Sequence, residues 1–224
     1  MTRRRHLTIA AALLAPVALA GCGTALSDSS AIGSDPRPLP YTGSITLTAD
    51  PAAARCVLTN TVTNSLVAEV TTPATIPLPR GTATINAICT APGSMTTTVA
   101  IRPVRDFATD IHHPQPVGTG IAQNLEAVQT GRTRRYNNTF IPLPPQPFAS
   151  QAALDAWFAD RATQLRQAAA PAIARAQRAP NATIDTAETL NDYLAADLAQ
   201  LEQQKAMASV AAAEPEPVPG ARRR

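Results

Sequence analysis

Beyond residue 21, five cysteine and histidine side chains are of types that could do chemistry: Cys22, Cys56, Cys89, His112 and His113. A cysteine can be acylated, can pair as a disulfide or can bind a soft metal, and a histidine can move a proton near neutral pH or ligate a metal. Spacing decides among these. His112 and His113 are adjacent, so on a strand or loop they point in different directions, and no constellation of Asp, Glu or Cys at ligand spacing accompanies them. Neither Cys56 nor Cys89 has a His or a second Cys nearby. No G-x-S-x-G, H-E-x-x-H, phosphate-binding loop or Gly-rich dinucleotide turn occurs. The reading therefore names no catalytic residue, no metal ligand and no cofactor. Members of a Ser-His-Asp triad meet only in the fold, so a cryptic hydrolase or metal-dependent enzyme built on His112 or His113 stands as the alternative.

Cys22 has a distinctive context. Arg3, Arg4 and Arg5 precede an apolar run from Leu7 to Leu19, and the run ends in Leu19-Ala20-Gly21-Cys22. Thirteen residues suit the apolar core of a secretory leader, whereas a spanning helix needs about 20. The alternative is an uncleaved anchor. The tetrapeptide resembles a bacterial lipobox, which implies cleavage after residue 21 and lipidation of Cys22, so that the partner at this end is a lipid bilayer. Gly23 follows the cysteine where inner-membrane lipoproteins commonly carry Asp, and the resemblance implies the outer membrane, facing the periplasm.

Loss of residues 1–21 also rebalances charge. The +3 total arises from 19 basic and 16 acidic residues, three of the basic ones lie in the leader, and the remaining side chains balance. The pI of about 9.1 then argues for no nucleic-acid partner. The cluster Arg132, Arg134 and Arg135 and the tail Arg222-Arg223-Arg224 are expected to be solvated surface.

With Cys22 taken by lipid, Cys56 and Cys89 remain as a pair in an oxidising compartment. A bridge between them is worth about 3–4 kcal/mol in the chain-entropy model. Two buried free thiols are the alternative.

The elements that must position these residues start after a Ser-, Gly- and Pro-rich tether, residues 22–43. Residues 44–104 alternate apolar and polar with period two: Ile45, Leu47 and Ala49, then Cys56 and Leu58, then Leu66 to Val70, then Ala83, Ile85, Ala87 and Cys89, and finally Thr96 to Ile101. Turns are expected at Asp50-Pro51, Asn60 to Asn64, Arg80-Gly81 and Pro92-Gly93. Pro73, Pro77 and Pro79 confine Ile76 and Leu78 to an edge strand or loop. The prediction is a small disulfide-stapled antiparallel β-sandwich.

The run Ala49-Asp50-Pro51-Ala52-Ala53-Ala54, Cys56, Thr72-Pro73, Ile76-Pro77-Leu78, Arg80-Gly81, Cys89 and Gly93 resembles a PEGA-type domain over about a quarter of the chain. Ala52 or Ala53 stands where that family usually has glycine, and Ser94 where tyrosine is common. The resemblance implies an envelope-exposed sandwich used for contacts and transfers no catalytic residue.

Residues 105–149 read as a connector. Ile121, Leu125 and Val128 stand at helical spacing, and Phe140 to Phe148 is either an extended strand flanking the sandwich or a polyproline ligand. Residues 150–212 read as a helical hairpin. Ser150 is a cap, followed by Leu154, Trp157, Phe158, Arg161 and Leu165 at three- and four-residue spacing; Pro171 interrupts the run, with helix continuing toward Ala179. After Pro180-Asn181, Asp185 with Glu188 forms a capping-box-like start to a stripe of Leu190, Leu194, Leu198 and Leu201. The stripe either packs on the sandwich or meets a partner. Residues 213–224 read as a disordered tail. The fold expected is α+β, and the function expected is a non-catalytic envelope lipoprotein that binds a protein or peptidoglycan.

Overall fold

The computed structural model describes residues 35–108, 125–178 and 185–212. Cys22, His112, His113, the leader, the Pro180-Asn181 break and the tail lie outside them.

The period-two pattern becomes strands whose alternate side chains face one core. Strand β1 (Ser44–Asp50) buries Ile45 and Leu47, and β2 (Arg55–Asn60) buries Cys56 and Leu58. Between β2 and β3 (Leu66–Thr71), the Asn60 side chain accepts from the Val62 and Thr63 amides at 2.9 and 3.2 Å, closing the turn. Strand β4 (Ala74–Pro77) is an edge strand paired with β1, where Pro77 withdraws no donor from an inner ladder. Strands β5 (Ile85–Thr90) and β6 (Thr97–Ile101) complete a four-stranded sheet of order β3-β2-β5-β6. Its inner face shares one core with the three-stranded sheet that contains β1 and β4. Each fully buried aliphatic side chain there contributes about 1.5–3 kcal/mol.

Cys56 stands directly opposite Cys89 in the β2–β5 ladder, and the two form a disulfide with a Cα–Cα distance of 4.1 Å. The staple thus joins neighbouring strands on the inner face of one sheet, where both cysteines are fully buried.

The sandwich extends beyond residue 104. A short ribbon pairs β7 (Val104–Arg105) with β8 (Arg134–Arg135), and β9 (Thr139–Pro142) lies parallel to β1, Leu47 opposite Thr139. Ile141 and Leu143 enter the core, and the Leu143 amide donates to the Asp50 carbonyl at 2.7 Å. The connector is therefore partly core, although its prolines hide any alternation. The proline-rich segment runs as an extended strap: Met95 N–H bonds Pro144 O at 2.8 Å, and Phe148 pairs with Val210.

Two of the arginines expected on the solvated surface are not there. Arg132 is exposed, but Arg134 and Arg135 are only 18% and 19% exposed. Arg134 donates to Pro103 O at 2.8 Å and pairs with Asp185 at 3.0 Å; Arg135 donates to Leu39 O at 2.8 Å and lies 3.7 Å from Asp106. Asp106 is completely buried and also pairs with Arg80 at 2.5 Å. A buried carboxylate requires such partners, and they come from segments that charge counting cannot connect.

Helix α1 (Gln151–Arg178) starts where Ser150 Oγ accepts from the Ala153 amide at 3.2 Å, and it continues through Pro171 to Arg178. Helix α2 (Ala187–Met207) is capped by Thr186, whose hydroxyl accepts from the Thr189 amide at 3.1 Å. The cap expected at Asp185 is thus displaced by one residue, because Asp185 has φ +53° and is engaged by Arg134 and the Arg105 amide. Lys205 near the end of α2 pairs with Asp155 near the start of α1 at 2.7 Å, as an antiparallel hairpin requires. Phe148, Leu154, Phe158 and Leu201 form a second core between the helices and the strap, with Trp157, Leu165 and Leu198 packed on it.

Hairpin and sandwich are joined along β6. Gln200 donates to Thr98 O at 2.6 Å, and Gln204 donates to Thr96 O at 3.2 Å and Thr97 Oγ1 at 2.8 Å. Side chains of α2 thus cover the carbonyl edge of a strand that would otherwise offer a template for pairing.

Candidate functional site

The leucine stripe of α2 divides between two environments. Leu198 and Leu201 belong to the second core, whereas Leu190 and Leu194 face a cleft of about 550 Å³ between the hairpin and the sandwich. On α1 the facing wall is Leu165, Ala168, Ala169, Ala172 and Ala176. Alanine keeps this wall shallow, so the space stays open where larger side chains would fill it. From Leu165 to Ala176 the helix advances about 16 Å, so the cleft runs about that far along α1. Ala100, Ile101 and Val104 supply the sandwich side. The volume lies within the 300–1,000 Å³ typical of ligand sites.

Charged groups frame this apolar wall. Arg102, Arg105, Arg135 and Arg175 line it together with Asp35, Asp185 and Asp197. The carboxylates are engaged: Asp197 takes both Arg102 amino groups, at 2.7 and 2.8 Å, Asp185 takes Arg134, and Asp35 takes Arg178 at 2.9 Å and Arg175 at 3.6 Å. Phe107 is flanked by the Arg105 and Arg175 guanidiniums, 5.9 and 6.0 Å from its ring centre, and Arg102 lies 4.6 Å over the Tyr193 ring. Asp35 is the first described residue of the tether, so its ion pairs hold the tether against the hairpin.

A smaller pocket of about 60 Å³ adjoins the cleft at Ala100, Leu165 and Asp197, and Trp157 and Arg161 line it. Arg161 is half-buried and hydrogen-bonds Gln164 at 3.2 Å. Burial pushes its guanidinium below the usual arginine range, and the Asp197 charge acts in the opposite direction. An anion entering this pocket would meet a cation held partly out of water.

The sequence-predicted residues fall into two groups. Cys56 and Cys89 are brought together, away from the cleft, while Cys22, His112 and His113 lie outside the described residues. Among the described residues no group of three or more His, Cys, Asp and Glu side chains could hold a metal, and no helix is long and apolar enough to cross a membrane. Sequence reading did not single out Asp35, Arg102 or Asp197 for a site, since each acquires its place only through partners far along the chain. Arg161 did leave a signal: it is an arginine at an apolar-face position in the run Leu154, Trp157, Phe158, Arg161, Leu165.

No protein family matches the chain, and neither a curated protein nor a solved structure matches it.

Proposed function

We propose that this chain is a membrane-anchored envelope lipoprotein, a non-catalytic binding module for a protein or cell-wall partner, tethered through acylated Cys22 to the outer membrane and facing the periplasm. The observation that carries the binding role is the long apolar cleft between hairpin and sandwich, framed by engaged arginines. The address rests on the residues around Cys22 and on Gly23. Ala53 supports the PEGA-type resemblance of the sandwich: it adopts φ +62°, a left-handed conformation, in the turn where that family usually has glycine. The disulfide suits an oxidising compartment.

The test has two arms. Radiolabelled palmitate should enter the full-length protein, disappear with Cys22→Ser, and follow the outer-membrane fraction; labelling that survives the substitution would remove the lipoprotein reading. Affinity purification in mild detergent should recover a stoichiometric protein or peptidoglycan, and Ala172→Trp, which fills the cleft, should abolish recovery. Recovery unchanged by Ala172→Trp would exclude the cleft as the binding surface.

A further inference from the structure

The small pocket and the long cleft differ in chemistry, and they share Ala100, Leu165 and Asp197 in their walls. The pocket carries Arg161, which donates a 3.2 Å hydrogen bond to Gln164 Oε1. Asp197, which lines both cavities, is held by both amino groups of Arg102 on the cleft side, so Arg102, Asp197 and Arg161 together carry one net positive charge. Beyond Leu165 the walls turn to alanine and leucine for about 16 Å along α1. A pocket of about 60 Å³ suits a head of a few heavy atoms, since one water needs about 10–15 Å³ by that measure. The apolar wall of the cleft suits a flexible apolar chain.

We propose that the occupant of the cleft is a single long acyl chain ending in a carboxylate, with the carboxylate on Arg161 and the chain lying along Leu165, Ala168, Ala172 and Leu194. Arginine matches this head because its planar fork pairs with a carboxylate through two parallel hydrogen bonds. The assignment deepens the reading of the cleft as a binding site and rests on that reading, while naming chemistry that the reading leaves open. A cationic head gains nothing from Arg161, and a neutral alcohol gives up the charge-assisted pair.

Trp157 lines the pocket and is the sole tryptophan of the chain, so its fluorescence reports on the head directly. The full-length chain carrying Cys22→Ser, which removes any attached lipid, is titrated with hexadecanoate, hexadecanol and hexadecyltrimethylammonium. Hexadecanoate should shift the Trp157 emission saturably at one equivalent, hexadecanol should bind about 10- to 100-fold more weakly, and the ammonium should leave the emission unchanged. Arg161→Met should weaken hexadecanoate by a similar factor, and Arg161→Lys should restore part of it. Ala172→Trp would confuse the optical signal, so cleft blockade is read with Ala172→Phe, which should abolish binding. Equal affinity for hexadecanoate and hexadecanol, an Arg161→Met variant that binds like the parent, or no saturable shift with hexadecanoate would each overturn the assignment. If hexadecanoate fails while partner recovery still depends on an open cleft, the ligand assignment falls and the binding-module reading stands. If hexadecanoate binds and no protein or peptidoglycan is recovered, the assignment stands and the partner does not.

Discussion

Arg102, just past the end of β6, holds Asp197 of α2 through both amino groups across 95 residues of sequence, and its guanidinium also lies over the ring of Tyr193. The pair is 19% and 29% exposed, so solvent screens it only in part. It is a two-bond charged link between sandwich and hairpin, and it sits on the wall of the cleft.

Breaking that link should loosen the hairpin. Arg102→Met is expected to cost about 1–3 kcal/mol in urea unfolding, with a double-mutant cycle against Asp197→Asn showing coupling above about 0.5 kcal/mol. Additive effects of the two substitutions would show that the link is geometric only.

The Cys56–Cys89 bridge closes a separation of 33 residues, which corresponds to about 3–4 kcal/mol of unfolded-state restriction in the chain-entropy model. The double substitution to alanine should lower unfolding free energy by at least that much, because both sulfurs fill core space. A midpoint in urea unchanged by reduction of the parent protein would contradict this.

Two positive-φ positions should respond in opposite directions. Gly131 has φ +73°, and a Cβ there would lie 2.4 Å from the carbonyl carbon of Gly81, backbone against backbone. Gly131→Ala is expected to destabilise by at least about 2 kcal/mol. Ala53, at φ +62° on an exposed turn, already carries a Cβ in the left-handed region. Ala53→Gly should be neutral or stabilising by up to about 1 kcal/mol, relief of strain exceeding the added chain entropy. Thermal melts of the two variants check both signs.

The Asp155–Lys205 pair should be visible in titration. Hydrogen bonds from Lys205 and Gln151 hold the Asp155 carboxyl below its ordinary 3.8, and the bond to Asp155 raises Lys205 above its ordinary 10.5. The lowered carboxyl stabilises the fold above pH 3.8, an effect lost as pH falls through the folded-state value; the raised ammonium stabilises it below pH 10.5, lost as pH rises through its own folded-state value. Carboxyl-carbon NMR should place the Asp155 midpoint below 3.8 and return it toward 3.8 in Lys205→Met or in high salt. A midpoint indifferent to Lys205→Met would show the pair to be absent in solution.

Much of the local order was legible because it depends on residues close together in sequence. Period-two alternation at Ile45 and Leu47, at Cys56 and Leu58 and at Ile85, Ala87 and Cys89 is a direct consequence of strand geometry, and it put the two cysteines on inner faces. Asn60 announces its turn, Ser150 its helix, and three- and four-residue spacing the hairpin. The lipobox-like run around Cys22 is likewise readable from sequence.

What only the tertiary structure decided depends on partners that no local period connects. Parallel docking of β9 beside β1 spans about 90 residues, and prolines mask its pattern. Burial of Arg134 and Arg135 follows from Asp185, Asp106 and Leu39, none of them a sequence neighbour. The division of one leucine stripe into a core half and a cleft half is set by where the strap around Phe148 inserts and where it stops. A helical period can tell which side chains share a face, but whether that face meets side chains or open space is fixed by the shape of what packs against it.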